Sequence, residues 1–242
     1  MSTDYTYLDI AKMIDHSLLN PTMSQADFDS GIRLALAYDT ASVCIMPYYL
    51  KQCAEMLAGS TVMPSTVIGF PHGGHTSVIK VAEAKQAIAD GCRELDMVVN
   101  ISKVLSGDWA FVRDDIRGVI DVAHAAGQKV KVIFENCYLN DDQKKKLCEI
   151  CGELNADWVK TSTGYGTSGA TLEDLQLMRK YSPKHVQVKA AGGVRDLETV
   201  LKVRALGVSR VGASRTKEML DDCRVRLGMQ VLDAVATGSS GY

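Results

Sequence analysis

Four charged residues stand where apolar ones are expected: Asp96 in RELDMVV, Lys131 in KVKVIFE, Lys160 in DWVKTST and Lys189 in VQVKAAGG. Successive side chains of an extended strand point to opposite faces. With Leu95 and Met97, Val130 and Val132, Val159 and Val188 directed to one side, all four charges turn to the other. Charges turned into a protein interior must be paired or functional. Amine catalysis supplies a function. A lysine is a nucleophile only when neutral, yet its ordinary pKa is about 10.4, so burial and a neighbouring cation must lower it. Neighbouring strands lie ~4.8 Å apart, and two ammonium groups ~6 Å apart at an effective dielectric of ~20 repel by ~2.8 kcal/mol, which is ~2 pKa units. Lys189 beside Lys160 is placed to supply that shift. Asp96, kept ionised by Lys131, suits general acid–base work. Glu135 has inward parity at the end of its run and reads as a hydrogen-bonding support.

A second group suits an anion. Gly192 and Gly193 follow one strand, and Gly212, Ser214 and Arg215 follow the next. Glycines allow backbone N–H groups to approach a phosphate, while Ser214 and Arg215 add hydrogen bonds and charge. The segment Thr161–Gly166, with Thr163 and Gly164, closes the same rim. A phosphorylated substrate is therefore expected.

These side chains need a scaffold that collects neighbouring strands. After an N-terminal helical stretch, eight strand candidates fall near Met13–His16, Ala41–Met46, Ser65–Phe70, Arg93–Val99, Lys129–Glu135, Asp157–Thr161, His185–Lys189 and Ser209–Gly212. Helical patterns such as Ser77–Asp90, Trp109–Ala126, Asp141–Leu154, Thr171–Tyr181 and Asp196–Leu206 separate them. Eight strands alternating with helices predict an α/β fold of the TIM type, a (β/α)8 barrel with an extra N-terminal helix. One domain is expected over 1–236, followed by a flexible polar tail, 237–242, that ends in Tyr242.

Composition narrows the partners. Lys and Arg total 27 against 29 for Asp and Glu, without the broad basic field that nucleic-acid binding needs. No apolar run reaches the ~18 residues of a membrane span, and the N-terminus lacks signal-peptide character, so a cytoplasmic protein is expected. Seven scattered cysteines read as reduced thiols, and Cys148 and Cys151 lie in a helical pattern without further metal ligands.

VKTSTGYGTSGAT around Lys160, VKAAGGVR around Lys189, ELDMVVN around Asp96, FPHG at 70–73 and RVGAS at 210–214 occur in this order along the chain. Together they closely resemble the deoxyribose-phosphate aldolases. The resemblance implies a class I aldolase that reversibly cleaves 2-deoxy-D-ribose 5-phosphate to acetaldehyde and D-glyceraldehyde 3-phosphate, without metal or organic cofactor. It implies that Lys160 forms the Schiff base, that Lys189 perturbs its pKa, and that Asp96 relays protons with Lys131 as partner. Asp15, Ser17, Asn20 and Cys44 would line the pocket, and Tyr242 would fold over the mouth as a proton donor. The partners implied are a small phosphorylated sugar and short aldehydes, in a homodimer. Arg215 departs from the family pattern, where a second Ser is common.

Other readings remain open at this point. A Schiff-base enzyme acting on a ketose phosphate or a non-phosphorylated aldehyde would keep the lysines and change the rim. A metal-dependent enzyme would need ligands, and His72 and His75 form the only close His pair. A non-catalytic phosphate-binding barrel would not need the lysine cluster.

Overall fold

Capping chemistry and glycine turns divide the chain into the expected alternation. The structure, a computed structural model, describes residues 4–232, so the tail and Tyr242 lie outside the described residues. Helix α1 (Tyr7–Ala11) precedes the barrel, its first turn closed by a reciprocal box between Thr6 and Asp9. The same device, with Asn140 and Gln143, opens α7 (Asp141–Glu153). At α8 (Leu172–Tyr181) the cap is one-sided, the Thr171 hydroxyl accepting from the Asp174 N–H.

Eight parallel strands follow in chain order: β1 (Ile14–Leu18), β2 (Ser42–Ile45), β3 (Met63–Ile68), β4 (Glu94–Val98), β5 (Lys129–Ile133), β6 (Trp158–Lys160), β7 (Gln187–Ala191) and β8 (Arg210–Ala213). Each pairs with the next, and β8 pairs with β1, which closes the barrel. The outer ring includes α2 (Gln25–Tyr38), α3 (Leu50–Met56), α4 (Ser77–Ala89), α5 (Ile101–Leu105) and α6 (Trp109–Ala125). It continues with α7, α8, α9 (Leu197–Ala205) and α10 (Thr216–Arg226).

Leu95, Met97, Val130, Val132, Val159 and Val188 are fully buried in the core between sheet and helices. Burying side chains of this size stabilises by roughly 1.5–3 kcal/mol each. The opposite face fills the barrel interior, where Val, Ile and Leu layers are usual. Here that interior is ionic. Asp96 is the register partner of Lys131, and Lys160 that of Lys189.

One expected strand end moves. β5 stops at Ile133, and Glu135 takes a left-handed conformation with φ 57° before the short 3-10 turn Asn136–Tyr138. Glu135 therefore leaves the strand before its parity applies.

Candidate active site

Asp96 is the hub of the barrel interior. Its Oδ1 accepts a hydrogen bond from Lys131 Nζ at 2.8 Å, while its Oδ2 accepts from both Lys160 and Lys189, each at 2.8 Å. Lys131 also meets Glu94 at 2.6 Å, and Lys189 meets Asp15 at 2.6 Å. Arg210 links these two acids, donating to Asp15 Oδ1 at 2.5 Å and to both oxygens of Glu94 at 2.7 and 2.8 Å. The Ser42 hydroxyl adds a bond to Asp15 at 2.7 Å.

The consequences differ among the amines. For Lys131 the attraction of Asp15, Asp96 and Glu94 outweighs desolvation, and its pKa is raised well above the ordinary lysine value. Lys189, facing Asp15 and Asp96, is also raised despite burial. Lys160 goes the other way: desolvation, with repulsion from Lys189, outweighs its half share of Asp96, and its pKa falls. Burial alone would push Asp96 up, but Lys131, Lys160 and Lys189 hold its carboxyl far below the usual carboxylate range. The interior thus contains two firm ammonium ions, a firm guanidinium and one amine whose proton is disfavoured.

Lys160 opens onto a cavity of about 280 Å³ at the C-terminal ends of the strands. This is below the ~300–1,000 Å³ of drug-sized sites, so it fits a small polar molecule. Ser17 and Leu19 of the β1 end, Thr163 and Gly164 after β6, Gly192 and Gly193 after β7, and Gly212 and Ser214 of the β8 end line it. Gly192 and Gly193 have φ 76° and 84°, a region that favours glycine. The loop after β6 crosses the β7 end closely: Ala170 donates to the carbonyls of Ala191 and Gly192, each at 3.0 Å. Glu135 anchors the same loop, its carboxylate accepting from the Thr163 N–H at 3.1 Å and from the Thr163 hydroxyl.

Four of the candidate residues are not among those that line this cavity. Asp15 is fully buried below the cavity, where cations claim its carboxylate. Cys44 is fully buried in a small apolar cluster with Leu19 and Val67, and burial raises its thiol pKa. Asn20 turns its side-chain oxygen to the N–H and hydroxyl of Thr22, at 3.0 and 2.9 Å. Arg215 is exposed at the start of α10 and is not on the cavity wall; the arginine that lines the cavity is Arg195.

Arg195, Glu94 and Arg210 were not singled out from the sequence. Glu94 precedes Asp96 by two residues, and Arg210 precedes Gly212 by two, so the alternation that turned the lysines inward also marks them. Arg195 follows the Gly192-Gly193 turn.

A parallel barrel with lysines at its centre and a glycine-lined cavity at the C-terminal ends of its strands falls in the class of barrel aldolases. The chain belongs to the DeoC/LacD aldolase family, whose model matches residues 10–220. It is 68% identical over 239 residues to a deoxyribose-phosphate aldolase of Rhodopirellula baltica, covering 99% of each chain. With the namesake of Bacillus cytotoxicus it shares 48% over 207 residues, 86% of this chain and 92% of that one. The solved tetrameric deoxyribose phosphate aldolase from Aeropyrum pernix matches with a TM-score of 0.83 at 28% identity, over 90% of this chain and 92% of that one.

Proposed function

We propose that this aldolase reversibly cleaves 2-deoxy-D-ribose 5-phosphate to acetaldehyde and D-glyceraldehyde 3-phosphate through a Schiff base on Lys160. The observation that carries the reading is the contrast among the buried amines: Lys160 alone both faces the cavity and has its proton disfavoured. Its relatives' activity supports the same substrate.

In the cleavage direction the neutral Lys160 amine attacks the C1 aldehyde of the open-chain sugar, and loss of water leaves a protonated imine. Asp96, ionised and 2.8 Å from Lys160 Nζ, accepts and returns protons during these steps, with Lys131 as its partner and Lys189 as the cation that disfavours the Lys160 proton. The imine draws electrons as the C2–C3 bond breaks and the C3 hydroxyl loses its proton, so the three-carbon aldehyde departs. Protonation of the remaining enamine at C2 and hydrolysis free acetaldehyde and the amine. The carbon skeleton needs no redox partner, because the imine is the electron sink.

At the far end of the substrate, the Gly192, Gly193 and Gly212 backbone, Ser214 and Arg195 are assigned to the phosphate, with Thr163 and Gly164 on the facing rim. Ser17 is assigned to the sugar. The reading extends to one barrel domain over 1–236 with 237–242 as its tail, Tyr242 assisting proton transfer, a homodimer, and a cytoplasmic location. Seven free cysteines, six of them buried, fit a reducing compartment.

Release of glyceraldehyde 3-phosphate from deoxyribose 5-phosphate, followed with a coupled dehydrogenase, tests the substrate. Ketose phosphates and unphosphorylated deoxyribose serve as competitors. Turnover of deoxyribose 5-phosphate at least tenfold above each competitor is expected. A ketose phosphate turned over faster would reassign the substrate.

A further inference from the structure

Neither Glu94 nor Arg210 lines the cavity, yet both are wired into the ionic interior. Glu94 is nearly fully buried at the start of β4 and borders a separate cavity of about 690 Å³ at the opposite end of the barrel, beside Arg93 and Lys129. Its carboxylate holds Lys131 at 2.6 Å and Arg210 at 2.7 Å. Arg210 holds Asp15 at 2.5 Å, and Asp15 holds Lys189 at 2.6 Å. The two chains of contact meet at Asp96, where Lys131 and Lys189 compete with Lys160.

The charges facing Lys160 come from every side of the barrel. Asp96 on β4, Lys189 on β7 and the Cys44 thiol on β2 act on it, with Lys131 on β5, Asp15 on β1, Glu94 on β4 and Arg210 on β8 one layer further. Cys44 stays a thiol, because burial raises its pKa. Asp15, Glu94 and Asp96 then balance Lys131, Lys189 and Arg210, three anions against three cations, when Lys160 is neutral. A proton on Lys160 would add a fourth cation.

We propose that Glu94 and Arg210 are positioning residues that set the charge balance under which Lys160 is neutral. The inference rests on Lys160 being the nucleophile. Both residues lie two strands from β6, one on each side. A unit charge ~10 Å away at an effective dielectric of ~20 moves an amine's titration by about one pH unit. Glu94→Gln leaves two anions against three cations, so the Lys160 proton is lost more readily. Arg210→Gln leaves three anions against two cations, so that proton is retained.

The test is the pH dependence of borohydride-trapped acetaldehyde adduct formation at Lys160, mapped by peptide mass, in the wild type and in Glu94→Gln, Arg210→Gln, the double variant and Arg210→Lys. The expected acid limb moves about one pH unit down in Glu94→Gln and about one unit up in Arg210→Gln. It returns to within a few tenths of a unit of wild type in the double variant, where two anions face two cations, and in Arg210→Lys. A merely structural role would lower the amount of active protein without opposed shifts. Unshifted limbs in both single variants, or shifts of the same sign, overturn the inference. Should a single variant not fold, the double variant and Arg210→Lys decide: a limb displaced by a full unit in either overturns it. Absence of any Lys160 adduct in the wild type would instead refute the nucleophile assignment itself.

Discussion

For single residues, the proposed chemistry rests on unequal sharing of one carboxylate. Lys160 and Lys189 both reach Asp96 Oδ2, but Lys189 has Asp15 as a second acceptor and Lys160 has none among the described residues. Lys189→Met removes a repelling cation and gives Asp96 Oδ2 to Lys160 alone, and both changes favour the Lys160 proton. We expect kcat/KM at neutral pH to fall by roughly 10²-fold or more, for a shift of ~2 pKa units, with part of the loss recovered as pH rises. A pH–rate profile displaced to higher pH checks this; a loss equal at every pH would contradict it. At the rim proposed to hold the phosphate, Arg195→Ala should raise KM for the phosphorylated sugar about tenfold, the scale of a lost charge-assisted hydrogen bond, with kcat changed less. Arg215→Ala should change KM less than Arg195→Ala, because Arg215 does not line the cavity. The lysines were legible in the sequence because a charge inside a β-branched run contradicts its surroundings. Glu94 and Arg210 were not, because a charge at the start of a strand is ordinary until the barrel closes and buries it. That Arg195 and not Arg215 lines the cavity follows from where α10 begins.

At the scale of elements, all eight strands and the N-terminal helix could be anticipated from alternation, β-branched runs and cap residues. Strand ends were less legible. Nothing in KVKVIFEN marks Ile133 as the last paired residue, since the end is set by Glu135 turning left-handed to reach the Thr163 loop. That carboxylate fixes the loop that carries Thr163 and Gly164. Glu135→Ala therefore leaves the Thr163 N–H unpaired, and a rise in KM with a lower Tm is expected, measured by kinetics and thermal unfolding together. Close passage of the same loop over β7 depends on Gly169, where an added Cβ would come within 2.3 Å of the Gly192 carbonyl oxygen. By contrast, Thr171 only caps α8. Thr171→Ala should cost about 1 kcal/mol, or ~2–4 °C in Tm, and leave kcat within about twofold.

At the scale of the whole molecule, folding must hold an ionic cluster inside a hydrophobic shell, and this makes stability depend on pH. Asp15, Glu94 and Asp96 titrate below their ordinary values because cations surround them. Their contribution is present above the unfolded carboxylate pKa of ~4 and is lost as pH falls through the lower folded values. His16 acts earlier. Buried on β1 with Nδ1 2.8 Å from the Thr216 hydroxyl, it titrates at about 4, lowered by desolvation. Between pH ~6.5 and that value the unfolded chain binds the proton and the folded chain does not, so stability falls with pH by roughly 3 kcal/mol. Denaturant unfolding across pH 7 to 4 should show this slope, and His16→Gln should flatten it; an unchanged slope would remove His16 from the account. Lys160 as the nucleophile is tested by borohydride reduction of the enzyme with deoxyribose 5-phosphate or acetaldehyde, followed by peptide mass mapping. One reduced two-carbon adduct with acetaldehyde is expected, on Lys160, lost together with activity in Lys160→Met. An adduct on another lysine, or cleavage that persists in Lys160→Met, would contradict it.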